Sequence, residues 1–226
     1  YTTKKVLTME LIRGIKVNHY EELQEKGYDT KLIASRITDA MLQQILDASF
    51  FHGDPHPGHI YILPNNRVAF LDFGMIGRLS NDLKYYFSSL IISLQSGDTD
   101  GMINTFKEWG LLDHVEQMNA LRRDIDSLQL QYYEVPLHHI SLGNVMFEVF
   151  EIAYKHRIEI PSDIAILGKT IITLESTLEN LDPELSIMEA IEPYGKKLLL
   201  KRYHPLNMAR KSWRSIFENI RILSEL

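Results

Sequence analysis

Residues 52–74, which read HGDPHPGHIYILPNNRVAFLDFG, constrain the fold more than any other stretch of the chain. Two prolines and two glycines within His52–Gly58 make it very costly for a helix to run through. Two short apolar runs then flank Pro64-Asn65-Asn66-Arg67, which predicts a small β-hairpin, Ile60–Leu63 against Val68–Leu71. A hairpin returns the chain, so Asp72 at its far end is expected beside Asp54 in the preceding loop. Two carboxylates converging in this way suit a Mg²⁺–triphosphate. The ion takes oxygens from one or two carboxylates, phosphate and water, while a second carboxylate can orient an attacking hydroxyl or water.

Upstream, Lys5–Glu10 (KVLTME) carries β-branched residues and predicts a strand, followed after Gly14 by a second extended piece, Ile15–Val17. Asn18–Asp29 reads as a short helix or a loop. Thr30–Phe51 has Leu32, Ile33, Ile37, Met41, Leu42, Ile45 and Leu46 at helical spacing with no internal Gly or Pro, predicting a long helix. Strand character is expected to end after Asp72-Phe73-Gly74, and from Asn81 the chain reads as wholly helical. The predicted helices are 81–97, 99–109, 113–133, 144–155, 161–180, 184–203 and 205–226, with Gly97, Gly110 and Pro136 as stop signals. The expected fold class is α+β, predominantly helical, with one small hairpin at the candidate site.

With 45% hydrophobic and 24% charged residues, the 226-residue chain has the composition of an ordinary globular domain, and disorder is excluded. The absence of cysteine excludes disulfides, thiolate metal sites and thiol catalysis. The longest apolar runs fall far short of the roughly 18 residues of a membrane span. No secretory signal pattern opens the chain, and a first residue Tyr1 ahead of a strand-like run suggests a piece of a longer protein.

The Asp54 loop, the apolar hairpin and the Asp72-Phe73-Gly74 triplet resemble the catalytic and metal-binding core of protein-kinase-like folds. The fuller pattern, GDPHPG with FLDFGM and the upstream VLTME…Gly14, is similar to the UbiB/AarF family of atypical kinase-like ATPases linked to ubiquinone biosynthesis. The motifs cover roughly residues 5–80. The resemblance implies a kinase-like C-terminal lobe over 18–226 (catalytic loop, hairpin and triplet at 52–74, helical subdomain at 81–226), with 1–17 as the hinge and the end of an N-lobe strand. It implies nucleotide contacts at Met9, Glu10, Leu11 and Ile12, with the backbone of Glu10 and Ile12 meeting adenine. Asp54 would be the catalytic aspartate and Asp72 the metal-binding one, with ATP and Mg²⁺ or Mn²⁺ as cofactors and Phe73 and Gly74 supporting. Where the family pattern has Asn five residues after Asp54, this sequence has His59, a poor Mg²⁺ ligand better suited to Zn or Mn. The family's Lys-x-Gly-Gln helix and phosphate-contacting lysine would precede residue 5, so this stretch alone is expected to bind nucleotide poorly. In the full-length protein the resemblance implies ATP hydrolysis, or phosphoryl transfer to a lipid or quinone-precursor-like acceptor. It places that protein in the cytoplasm, peripheral to or anchored at the inner membrane.

His52 and His56 read as structural, bonding loop backbone and bracing Asp72. His138-His139 reads as a surface loop, and Trp109 and Trp213 as packing anchors. From Lys196 to Phe217 seven basic residues occur with no acid, although the chain carries a formal charge of −6. That segment (196–215) is either a solvated helix face or a membrane-surface contact. Overall charge and the lack of a recognition motif disfavour nucleic acid. Two rival readings stay open. One is a small-molecule phosphotransferase of the aminoglycoside or choline kinase type, which usually retains the Asn. The other is a pseudokinase serving as a lipid- or partner-binding module.

Overall fold

A computed structural model describes the backbone of residues 1–202 and the side chains of residues 1–194. The side chains of the basic segment, and the whole of the last expected helix with Trp213, lie outside the residues so described. The chain divides into two compact units: Tyr1–Leu79 with Pro136–Glu151 and Ile160–Met188, and Ser80–Val135 with Ile152–Glu159 and the described chain from Glu189.

In the first unit, two apolar runs pair as a hairpin across a tight turn, the first alternating buried with half-exposed residues and the second half-exposed along its length after Arg67. Strand β3 (Ile60–Leu63) runs antiparallel to β4 (Arg67–Phe70), with Ile60 opposite Phe70 and Leu63 opposite Arg67. The short strand β1 (Ile15–Lys16) adds to the outer edge of β3. Asn65 and Asn66 turn the hairpin with φ of 65° and 55°, left-handed backbone that Asn tolerates better than most residues. The tip is pinned from α2 (Thr30–Leu42). Arg36 donates to the carbonyls of Asn65 and Asn66 at 2.8 and 2.5 Å, and the Asp29 N–H donates to Asn66 Oδ1 at 3.1 Å.

Three sequence expectations change here. Lys5–Glu10 forms no strand. It has no partner strand among the described residues, Val6, Leu7 and Met9 are exposed, and Thr2 and Thr8 close it as a loop through their own hydroxyls. The long helix ends early: α2 widens into a π-helical stretch at Gln43–Ala48 and stops at Ser49, in the left-handed region at φ 61°. Phe50–His52, expected at or after the end of that helix, is instead strand β2, paired antiparallel with β5 (Ile76–Arg78), so strand character continues past Asp72-Phe73-Gly74. The ring of Phe51, fully buried, packs over Gly77.

The helices that remain are α1 (Tyr20–Glu25), α3 (Asn81–Ser96), α4 (Thr99–Glu108), α5 (Met118–Tyr132), α6 (Leu142–Lys155), α7 (Ser162–Glu179) and α8 (Ile187–Arg202). In the second unit α3, α4 and α5 pack on one another, with Phe87, Ile91, Leu94, Met102, Phe106, Leu121, Ile125 and Leu128 buried. Gly97, at φ 65°, ends α3, and Trp109 stacks on Tyr86 at 5.2 Å between ring centroids. In the first unit α7 packs against β5 and buries Ile164, Leu167, Ile171, Leu174 and Leu178. Pro161 precedes α7 as its N-cap rather than opening its first turn. Glu175 of α7 caps α6: its carboxylate accepts from the N–H groups of Leu142 and Gly143 at 3.0 and 2.8 Å and from the Ser141 hydroxyl at 2.6 Å.

Candidate active site

The loop between β2 and β3 has little regular structure, so side chains must satisfy its backbone. His52, fully buried, carries much of this. Its Nδ1 accepts from the Asp54 N–H at 3.1 Å, so the neutral ring holds its proton on Nε2, which donates to the Leu71 carbonyl at 3.0 Å. One imidazole thereby ties the residue before Asp72 to Asp54 itself. The Phe73 ring, half exposed, lies 4.7 Å from the His52 ring. Further along, the Leu71 N–H donates to the His59 carbonyl at 2.8 Å, closing the open end of the hairpin.

His59 faces both aspartates. Its Nδ1 lies 3.1 Å from the Asp54 carbonyl and must donate there, because a carbonyl only accepts. Its Nε2 then points at Asp72 Oδ2, 3.5 Å away. In that tautomer a neutral ring presents its Nε2 lone pair to the same space as the Asp72 carboxylate. Asp72 sits at φ 60°, and its Oδ1 accepts from the Gly74 N–H at 3.3 Å. Backbone of this kind in a non-glycine residue is held in place by its surroundings and occurs often at functional sites. His56 caps the 3₁₀ turn Pro57–His59, its Nδ1 accepting from the Gly58 N–H at 3.1 Å. The histidine facing Asp72 is therefore His59, while His52 and His56 brace the loop backbone.

Lys169 of α7 is the site residue that sequence reading missed. Its ammonium lies 3.1 Å from Asp54 Oδ1. The single lysine of α7 carries no local sign of a partner so far away along the chain. Met9, Glu10 and Leu11 lie exposed, with Ile12 half-buried, in a stretch without regular structure. His138 and His139 form an exposed turn that lines a cavity of about 460 Å³ together with Phe147, Ile172, Glu175 and Glu179.

Among the described residues no group of three or more His, Asp or Glu side chains is placed to hold a metal without help. The donors at hand, the exposed Asp72 carboxylate and the His59 Nε2 lone pair, fit a divalent ion whose remaining ligands are phosphate oxygens and water. No helix among the described residues is long and apolar enough to cross a membrane.

The described chain is predominantly helical with few strands, which is consistent with the kinase-like domain that comparison with known proteins shows. Residues 1–106 match the ABC1 atypical kinase-like domain, and residues 125–186 match the UbiB helical domain. The chain is 31% identical over 194 residues to an uncharacterized protein in the hydrogenase 1 5′ region of Clostridium pasteurianum, covering 86% of this chain and 36% of that protein. A probable protein kinase UbiB of Xanthomonas oryzae pv. oryzae is 28% identical over 217 residues, covering 93% and 39%. The chloroplastic protein ACTIVITY OF BC1 COMPLEX KINASE 7 of Arabidopsis thaliana is 30% identical over 200 residues, covering 88% and 29%. The chain belongs to the ABC1/UbiB family of atypical kinase-like proteins. It spans about a third of the length of these curated relatives.

Proposed function

We propose that the full-length protein binds ATP with a divalent metal and uses Asp54 and Asp72 to hydrolyse it or to transfer its terminal phosphoryl group. The observation that carries this reading is the bridge made by His59, with one ring nitrogen on the Asp54 carbonyl and the other facing the Asp72 carboxylate. In the reaction, the oxygen of a water or hydroxyl attacks the γ-phosphorus and the bond to the β–γ bridging oxygen breaks. ADP leaves with that electron pair, and Asp54 accepts the proton of the nucleophile. Asp72 and His59 would hold the metal, which supplies charge neutralisation for the phosphate oxygens. His52 and Phe73 keep the turn that carries Asp72 in place.

On this reading residues 18–202 are the described part of a kinase-like C-terminal lobe, and Met9–Ile12 is the hinge that meets the nucleotide. The acceptor class we favour is a lipid or quinone-precursor-like molecule, with a role in making isoprenoid quinones at a membrane face. This assignment rests on family resemblance and on the basic 196–215 segment. His59 in place of Asn supports a second reading, a pseudokinase that keeps the fold as a lipid- or partner-binding module.

Calorimetric titration of ATP into the full-length protein, with Mg²⁺, with Mn²⁺ and without metal, separates the two. The proposal expects metal-dependent binding, with Mn²⁺ at least as effective as Mg²⁺ because of the imidazole. No binding under any condition would move the assignment to the pseudokinase.

A further inference from the structure

We infer that Lys169, delivered by α7, is the positioning residue of the Asp54 carboxylate; this rests on the reading of Asp54 as the catalytic aspartate. The backbone of Asp54 is held on both sides. Its N–H is bonded to His52 Nδ1, and its carbonyl accepts from His59 Nδ1 at 3.1 Å and from the His56 N–H at 2.7 Å. What the backbone bonds leave free is the side-chain torsion, and Lys169 Nζ engages Oδ1 at 3.1 Å. Holding Oδ1 leaves Oδ2 to receive the proton of the attacking group.

Two features make this more than a chance surface ion pair. The first is the close approach of α7 to the loop. A Cβ on Gly53 would lie 2.9 Å from both Ile166 Cγ2 and Met75 Cγ, so any larger residue there would push α7 or these side chains away from the loop. Ile166 and Lys169 are three residues apart and share a face of α7, so the contact that seats the helix also aims the lysine. The second is the rigidity of the delivering helix. Leu167, Gly168, Thr170 and Ile171 around the lysine are buried, and Gly168 lies under the Phe150 ring.

With the lysine side chain 48% exposed and the aspartate 30%, the pair adds little to stability. Its consequence is geometric: a carboxylate free to rotate spends most of its time outside the reactive arrangement, and small misplacements of reacting groups cost up to about a hundredfold in rate.

The test compares Lys169→Met and Lys169→Arg with the unmodified full-length protein, reading steady-state ATP hydrolysis and calorimetric affinity for metal–ATP. Lys169→Met is expected to lower kcat about 10- to 100-fold while KM for ATP and the calorimetric affinity stay within about twofold. Lys169→Arg should restore a measurable part of kcat, because a guanidinium can reach the same oxygen. Unchanged kcat in Lys169→Met, or a loss of kcat matched by an equal loss of affinity, overturns the inference. Asp54→Asn keeps the two claims apart. If it hydrolyses ATP normally, the assignment of Asp54 fails and the lysine inference with it. If it is inactive while Lys169→Met is not, the positioning role alone falls.

Discussion

The loop at 52–59 and the helices of the second unit answer the same backbone requirement in opposite ways. In α3, α4 and α5 the main chain satisfies itself, and side chains are needed only at the ends. Ser80 Oγ accepts from the Leu83 N–H, Asp98 Oδ1 accepts from the Gly101 N–H, and Gly97 turns the chain out of α3. Interior side chains there are chosen for size and shape. In the loop the roles reverse: ring nitrogens of His52, His56 and His59 take the main-chain groups that no helix or ladder reaches. A particular atom at a particular place then matters more than volume. The loop can thus hold two aspartates at fixed positions, while the helices tolerate exchange among apolar residues.

The largest expected effect breaks this contrast most readily. His52→Phe keeps a buried ring but leaves the Asp54 N–H and the Leu71 carbonyl without partners, and it should cost about 2–4 kcal/mol in denaturant unfolding. Leu121→Met, at an equally buried position of α5, should cost less than about 1.5 kcal/mol. Equal costs would mean that the loop, too, is held by packing alone.

A smaller effect sharpens the contrast from the helical side, where one polar cluster does matter. Asp124 of α5 meets Lys155 Nζ at 2.9 Å and His156 Nε2 at 2.5 Å, and the lysine first, then the histidine, hold its carboxyl below the usual carboxylate range. A depressed pKa contributes stability above the unfolded-state value, and that contribution is lost as pH falls through the folded-state value. Asp124→Asn should therefore be modestly less stable than the parent at pH 7, with the gap closing in the acid range below the ordinary carboxylate pKa. A gap independent of pH would show that the cluster acts through shape rather than charge.

The hairpin was legible because two apolar runs flank a Pro-Asn-Asn turn, and α3 because its apolar stripe ends at a glycine. The β2–β5 ribbon was not legible: strands of three residues are too short to show a period of two, and Phe50–His52 continues the apolar pattern of the helix before it. Asp54 and Asp72 could be nominated from chemistry and spacing, and His59, Phe73 and Gly74 from the family resemblance. Which ring nitrogen meets which backbone atom could not, since that depends on rotamers set by folding. Lys169 escaped for a different reason. Its partner lies on another segment, and nothing local to α7 distinguishes it from a solvated lysine.

The central claim is that the braced loop presents Asp72 to a metal held jointly with nucleotide phosphates. The most direct measurement is electron paramagnetic resonance of Mn²⁺ titrated into the full-length protein, with and without ATP, for the parent and for Asp72→Asn. The account predicts a protein-bound Mn²⁺ signal that needs ATP and is lost in Asp72→Asn. Bound Mn²⁺ of equal intensity in the parent and in Asp72→Asn would contradict it.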